Sequence, residues 1–152
     1  MALDSATVRF LERLAEGDGK PLHECTPDEA RVFLSRLSGL AGPAPEMWRV
    51  EEHHIEETDA RAKLRILVPI EHPIGILIYY HGGGWVLGSI DDYDTVARKL
   101  AERTSCAVVL VDYRLAPEHR YPAGVDDSYA ALKWVGDHII DVTGREAPLI
   151  VI

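Results

Sequence analysis

The sequence contains little cysteine and no long apolar segment. Its two cysteines, Cys25 and Cys106, stand far apart in 152 residues and form no C-x-x-C pair. A disulfide framework is therefore excluded, and we expect two free thiols in a reducing compartment. No stretch reads as a secretory leader, and no apolar run approaches the length of a membrane span. We therefore expect a cytoplasmic protein.

Positive charge is also scarce. The chain has 16 Lys and Arg residues against 25 Asp and Glu residues, which gives a formal net charge of −9. Because no basic stripe is available to neutralise phosphates, nucleic acid and anionic membrane surfaces are excluded as partners. The length and the hydrophobic content of 47% are ordinary for a soluble globular domain with its own core.

Helical periodicity dominates the N-terminal part. Apolar residues recur at helical spacing over Leu3–Ala15, up to the turn-forming segment EGDGKP. Thr26 to Glu29 form a capping box with proline at the first helical position, and an apolar stripe follows it as far as Ser38. The sequence therefore predicts two helices, followed by the linker GLAGPAPE.

After the linker the periodicity changes from helical to two-residue. Residues 48–55 and 62–68 are predicted strands, the second of which alternates between apolar and charged side chains, and EETDAR between them predicts a hairpin of half-exposed antiparallel edge strands. Three continuous apolar runs follow at 75–80, 106–113 and 148–152, a pattern typical of strands covered on both faces.

Two helical stretches separate these three apolar runs. They lie at about residues 94–103 and 126–139. Strand, helix, strand, helix, strand implies right-handed crossovers and a parallel sheet. The predicted class is therefore α/β, with an antiparallel hairpin leading into a mostly parallel sheet and helices at the N-terminus.

The segment YYHGGGW, residues 79–85, places three glycines directly after the first buried parallel strand. Ligands of open α/β sheets bind at the carboxyl ends of strands, which is where this segment falls. The glycines are either a flexible turn or a loop that offers consecutive backbone N–H groups to a ligand oxygen. A nucleotide loop is disfavoured, because neither G-x-G-x-x-G with its acid nor a Walker lysine is present.

Longer stretches carry a family resemblance. YYHGGGWVLGS, VDYRLAPEHRYPAGVDDSYAALKWV and the closing APLIVI closely resemble the hormone-sensitive-lipase-like carboxylesterases, the bacterial family IV branch of the α/β-hydrolases. The resemblance implies that HGGG is the oxyanion-hole loop, with the N–H groups of Gly83 and Gly84 as donors. His81 and Gly82 would hold the loop in shape. Trp85 either lines the substrate pocket or anchors the loop by packing.

The nucleophile of that family is absent from these residues. None of the six serines lies in a G-x-S-x-G pattern. In the hydrolase order the serine follows a buried strand, and the acid and the histidine come later. We therefore expect this chain to be the N-terminal part of a longer hydrolase that stops before the nucleophile elbow. Residues 1–45 would form a helical cap segment, and residues 46–152 the first part of the catalytic domain.

Other polar residues suggest alternative sites. Asp112 and His119 could suggest an acid and a base, but in the resembled family the segment DYRLAPE is scaffold, and its charges pin the loop. His53 and His54 lie in a strand beside Glu51 and Glu52, where neighbours point to opposite faces and cannot converge on one metal ion. A role in the core is favoured for Cys106.

The resemblance implies a serine carboxylesterase that acts on neutral, short to medium acyl esters through an acyl-enzyme, without metal or organic cofactor. Its partners would be the ester substrate and the missing C-terminal half of the same hydrolase, and a homodimer is left open. The alternative is a receptor-like protein that binds a small molecule on the same fold without hydrolysing it. In either case the N-terminal helices would cover the mouth of the site, or simply pack on the sheet. Apolar side chains available for such a lid are Phe10, Leu11, Phe33 and Leu34.

Overall fold

The computed structural model describes residues 3–15 and 20–152. Five helices and five strands are described in it. In chain order they are α1 (Ser5–Ala15), α2 (Pro27–Ser38), β1 (Arg49–Glu56), β2 (Arg61–Val68), β3 (Ile76–Tyr80), α3 (Ile90–Thr104), β4 (Ala107–Asp112), α4 (Ala123–Asp137), α5 (Ile139–Thr143) and β5 (Leu149–Val151).

The strands form one mixed sheet in the order β1-β2-β4-β3-β5. The pairs β1–β2 and β2–β4 are antiparallel, and β4–β3 and β3–β5 are parallel. The predicted α/β class, with a hairpin leading into parallel strands, is confirmed.

The prediction that both hairpin strands lie at the edge was wrong for β2. That strand sits between β1 and β4, and its last three residues, Ile66 to Val68, are fully buried or nearly so. Its N-terminal half alternates as an edge strand would, but its C-terminal half contacts apolar side chains on both faces of the sheet. Only the pairing with β4, which is distant in sequence, determines this position.

The core has one layer on each side of the sheet. On one face, alternate side chains of β2, β3 and β4 pack against Ala130, Ala131 and Val135 of α4. On the other face, the remaining side chains of these strands pack against Ala97 and Ala101 of α3. The strand residues from Ala107 to Val111 are fully buried, as the continuous apolar run predicts.

Local capping fixes the starts of α2 and α3. The predicted box at Thr26 is present: its hydroxyl accepts from the Glu29 N–H, and the Glu29 carboxylate accepts from the Thr26 N–H. Helix α3 begins four residues before its predicted start, because the Ser89 hydroxyl caps it by accepting from the Asp92 N–H at 3.3 Å.

The N-terminal helices differ in how they meet the rest of the protein. Helix α2 contacts α3, and its Arg31 donates hydrogen bonds to carbonyls of the loops above the sheet. The described side chains of α1 are mostly exposed, including Phe10 and Leu11. The side chains of Leu14 and Ala15, two predicted apolar positions of the first helix, lie outside the described part of the structure. Residues 16–19, where the sequence predicts the end of this helix, also lie outside it. The division at residue 45 stays a prediction.

Cys25 and Cys106 are both free thiols, as predicted, and Cys106 is buried in the core beneath α3. Among the described residues, none of the helices is both long enough and apolar enough to cross a membrane.

Candidate active site: the glycine loop after strand β3

The glycine loop, defined here as residues 81–88, starts at the carboxyl end of β3. Strand β4 runs parallel to β3, with Tyr80 opposite Val111. Asp112, at the end of β4, and the loop that follows Asp112 therefore reach the same edge of the sheet as the glycine loop. Two chain segments far apart in sequence thereby meet where ligands of α/β sheets bind.

His81, the first residue of this loop, is buried. Only 3% of its surface is exposed, and its ring stacks between Tyr113 at 4.4 Å and Tyr93 at 5.4 Å between centroids. Nδ1 lies 2.9 Å from the Gly82 carbonyl oxygen. Because a carbonyl oxygen can only accept, this contact requires the proton on Nδ1. The buried Nε2 has no hydrogen-bond partner among the described residues.

The Gly82 carbonyl receives a second donor. The Tyr93 hydroxyl, on the first turn of α3, donates to it at 3.3 Å. The Gly82 C=O and the Gly83 N–H belong to one planar trans peptide, so they point in opposite directions. Holding the carbonyl toward His81 and Tyr93 therefore turns the Gly83 N–H away from the core.

The next two glycines adopt backbone conformations that side chains disfavour. Gly83 has φ of 126° and Gly84 has φ of 62°. A Cβ on Gly83 would lie 2.1 Å from the Leu87 carbonyl oxygen, whereas one on Gly84 would meet nothing within 4 Å. The Gly83 carbonyl accepts from the N–H groups of Val86 and Leu87 at 3.2 and 2.9 Å and closes a tight turn.

This turn leaves two adjacent N–H groups free. Neither the Gly83 nor the Gly84 N–H donates to an acceptor within residues 3–15 and 20–152. Consecutive free N–H groups in such a turn form a concave donor surface for an anion or an oxyanion. A side chain at Gly83 would thus clash with the loop's own Leu87.

Trp85 packs against α4 and also borders a cavity. It is a non-glycine residue with φ of 64°, and 52% of its surface is exposed. One edge packs over Gly124, where a Cβ would come within 3.2 Å of the indole. The indole also borders an apolar cavity of about 320 Å³, whose wall includes Tyr121 and Val125. Contact of Trp85 with substrate stays a prediction.

The segment after β4 acts as a scaffold. The Asp112 carboxylate accepts from the Ile90 N–H at 3.3 Å, and burial raises its pKa. Arg114 pairs at 2.7 Å with Asp127, which is fully buried, and also donates to the Asp59 carbonyl. In the described part of the chain, Asp112 and His119 share no hydrogen bond or ion pair.

Sequence reasoning missed Tyr93, Tyr113, Arg31 and Asp127 as supports of the loop. Each lies on another element and reaches the loop or its neighbour only through folding. The acidic and tyrosine residues near the start of α3 and α4 look like ordinary exposed helix positions in the sequence. Nothing in a single sequence distinguishes them.

The described serines do not form a catalytic pair. Their described side-chain bonds run to nearby backbone or, for Ser89, to Asp92, and none reaches a histidine ring. Within the described residues, no group of three or more His, Cys, Asp or Glu side chains is placed to hold a metal ion. His53 instead stacks on Trp134 at 4.2 Å, and Glu52 pairs with Lys63 and Arg65.

Comparison with known proteins defines the class. A family model described as the alpha/beta hydrolase fold matches residues 77–152, which include the whole glycine loop. The chain belongs to the α/β-hydrolase family. The predicted membership of this superfamily is thereby confirmed.

Two of the similar proteins are esterases. Carboxylesterase NlhH of Mycobacterium tuberculosis is 41% identical over 133 residues, which are 84% of this chain and 41% of that protein. A hyperthermophilic esterase from the archaeon Pyrobaculum calidifontis has a TM-score of 0.88 and 33% identity, covering 99% of this chain and 49% of its own. These two similarities confirm the predicted likeness to esterases.

A third relative is of another kind. The gibberellin receptor of rice, Oryza sativa subsp. japonica, is 44% identical over 134 residues, which are 83% of this chain and 36% of the receptor. The chain thus spans less than half the length of each of these three proteins.

Proposed function

We propose that this chain is part of a carboxylic ester hydrolase and that the glycine loop is its oxyanion hole. The Gly83 and Gly84 N–H groups are the donors, and His81 and Gly82 position them. The observation that carries the proposal is the pair of free, adjacent N–H groups at the carboxyl edge of the sheet, with the preceding carbonyl held by two donors.

The chemistry assigned to the loop is charge stabilisation. When a nucleophile attacks an ester carbonyl carbon, the carbon–oxygen π bond opens and negative charge collects on the oxygen. Two fixed N–H donors stabilise that charge without reorganising, and loss of one donor typically costs about 3–4 kcal/mol of barrier. The oxyanion then re-forms its carbonyl and expels the alcohol, which leaves an acyl-enzyme for water to hydrolyse.

The nucleophile in this proposal is a serine outside the six of this chain. The support is that none of them lies in G-x-S-x-G, and that esterase relatives extend well beyond the matched region. The acid and the histidine of the triad would likewise come from the remainder of the hydrolase. This segment would contribute the oxyanion hole and part of the pocket wall, and by itself would be inactive.

The substrate class follows from the lining next to the donors. The cavity beside Trp85 is mostly apolar, and the nearby Arg114 is already engaged by Asp127. The formal net charge of −9 on this part of the hydrolase also disfavours anionic substrates. Neutral esters with short to medium acyl chains fit these conditions, and the mechanism requires neither a metal nor an organic cofactor.

A receptor-like function is the competing hypothesis, and the similarity to the gibberellin receptor is the observation behind it. The N–H pair alone fits either function, since it could also bind an anionic group of a ligand. The presence of all three glycines, together with the esterase relatives, favours hydrolysis over binding alone.

The test is active-site titration of the full-length gene product that contains this segment. We expect it to hydrolyse p-nitrophenyl acetate and butyrate and to bind one fluorophosphonate per chain. Residues 1–152 expressed alone serve as the control, and should neither titrate nor show a burst. A full-length protein that binds small ligands tightly but has no titratable serine would instead support the receptor hypothesis.

A further inference from the structure

Arg31 connects helix α2 to two loops that lie far along the chain. Its Nε donates to the Val86 carbonyl oxygen at 2.9 Å, and Nη2 donates to the Ala116 carbonyl oxygen at 3.0 Å. The same guanidinium grips both carboxylate oxygens of Glu118, at 2.8 and 2.7 Å. One side chain thus holds the N-terminal helix, the glycine loop and the loop after β4 together.

The carbonyls that Arg31 binds belong to the support of the oxyanion donors. Val86 donates its own N–H to the Gly83 carbonyl and so closes the turn. The preceding carbonyl, that of Trp85, accepts from the Ala116 N–H at 2.8 Å. Arg31 and Ala116 therefore hold two consecutive carbonyls of the loop, and Arg31 also holds Ala116 itself.

Only an arginine can make this set of contacts. Its planar fork presents five donors in fixed directions, whereas a lysine offers a single compact charge. Hydrogen bonds from an ionised donor are also shorter and stronger than neutral ones. Glu118 completes the arrangement because its bidentate grip fixes the plane of the guanidinium.

We propose that Arg31 is a positioning residue for the oxyanion hole, and that it couples the docking of α2 to the placement of the Gly83 and Gly84 N–H groups. The inference rests on the proposed function. It assigns helix α2 a part in catalysis that differs from covering the mouth of a pocket. We call the contacts of Arg31 with Val86, Ala116 and Glu118 the Arg31 clamp. Loss of this clamp releases the C-terminal part of the glycine loop, while His81 and Tyr93 still hold its N-terminal part.

The experiment compares Arg31→Met, Arg31→Lys and Glu118→Gln in the full-length hydrolase. The matched control is Arg36→Met, which removes an exposed arginine from the last turn of the same helix. Two quantities are measured on each variant: kcat and KM per titrated serine, and amide hydrogen exchange over residues 82–89. Arg31→Lys and Glu118→Gln keep the test decisive if Arg31→Met does not fold.

We expect Arg31→Met to lower kcat by roughly 10–100-fold with KM changed less than about threefold, because small misplacements of catalytic groups act on the transition state. Exchange of the Leu87 amide should become roughly tenfold faster as the turn opens more often. Arg31→Lys should fall between Arg31→Met and wild type, Glu118→Gln should show a smaller loss, and Arg36→Met should match wild type.

If the folded Arg31→Met variant exchanges its amides over residues 82–89 as slowly as wild type, Arg31 does not hold the loop and the proposal is wrong. Faster exchange with wild-type kcat would overturn the coupling of the Arg31 clamp to catalysis, and so would a rise in KM alone. A wild-type protein without a titratable serine would refute the proposed function instead. The exchange data would then still show whether Arg31 holds the glycine loop.

Discussion

At the scale of single residues, the glycine loop depends on backbone conformations more than on side-chain chemistry. Gly83 and Gly84 both have positive φ, but their surroundings differ: Gly83 faces the Leu87 carbonyl, and Gly84 faces open space. Gly88 has φ of 95°, and a Cβ there would lie 2.6 Å from Nδ1 of His81. Side chains at Gly83 and Gly88 would therefore clash with Leu87 and His81, whereas Gly84 is favoured only by its left-handed backbone conformation.

This difference predicts unequal effects of alanine at the two donor positions. Gly83→Ala must displace the turn, so we expect kcat of the full-length hydrolase to fall roughly 10²–10³-fold, the loss typical of one oxyanion donor. Gly84→Ala meets no neighbour and bears only the cost of a left-handed residue, about 1–2 kcal/mol. Its kcat should stay within about tenfold of wild type.

The measurement is kcat per titrated serine together with the thermal unfolding midpoint of the same samples. Equal kcat losses at the two positions would contradict the steric distinction. If Gly83→Ala lost stability but kept its kcat per titrated site, the loop would be a turn without a catalytic role.

At the scale of elements, charged pairs join segments that are far apart in the sequence. Arg31 and Glu118 join α2 to the loop after β4, and Arg114 and Asp127 join that loop to the start of α4. Arg65 similarly ties β2 to Asp94 of α3. Together with the aromatic packing around His81, these pairs hold the loops at the carboxyl edge.

The Arg31–Glu118 pair gives a defined pH dependence. The Arg31 guanidinium lowers the pKa of Glu118 from 4.5 to about 2. Because the folded-state pKa is depressed, the stabilisation is fully present above the unfolded value and is lost as the pH falls toward 2. The difference in unfolding midpoint between wild type and Glu118→Gln should therefore be constant at neutral pH and shrink below about pH 4.5.

Thermal unfolding at a series of pH values measures this difference. Glu102→Gln, at an exposed glutamate of α3, controls for the loss of one surface charge. A midpoint difference that stays constant down to about pH 3 would contradict the assignment, since half or more of an unfolded-state carboxyl is protonated there.

At the scale of the whole molecule, the sheet has two dissimilar edges. Strand β1 exposes a polar edge on one side, with Glu51 and Glu52 accessible to solvent. Strand β5 lies at the other edge, and its end, Ile150 to Ile152, is 45–54% exposed. An exposed apolar edge strand offers unpaired N–H and C=O groups to other chains.

We therefore expect residues 1–152 to self-associate through β5 when expressed alone. Ile150→Lys should reduce this association, because a charged edge residue disfavours strand addition. Static light scattering over a concentration series measures the effect. Ile140→Lys replaces an isoleucine of α5 that is 54% exposed and serves as the matched control. A monodisperse wild-type monomer with reversible unfolding would contradict the prediction, and so would equal effects of the two substitutions.

Much of the fold was determined by the sequence itself. The capping box at Thr26 and the apolar runs of β3, β4 and β5 predicted their elements because each depends on neighbours within a few residues. The predicted cover on both faces was wrong for β5, whose Ile150 and Val151 are 48% and 54% exposed, because this strand lies at the sheet edge beside β3 alone. The position of the glycine loop followed from the same local pattern, since a loop after a buried parallel strand must reach the carboxyl edge.

Tertiary structure alone decided what surrounds that loop. The interior position of β2, the stacking of Tyr93 and Tyr113 on His81, and the reach of Arg31 across 55 residues to Val86 all join segments distant in the chain. Such contacts depend on the order of strands and on where helices dock, and periodicity within a segment carries no information about either. The sequence therefore determined which residues form the loop, and the packing of the sheet and helices determined how its N–H groups are held.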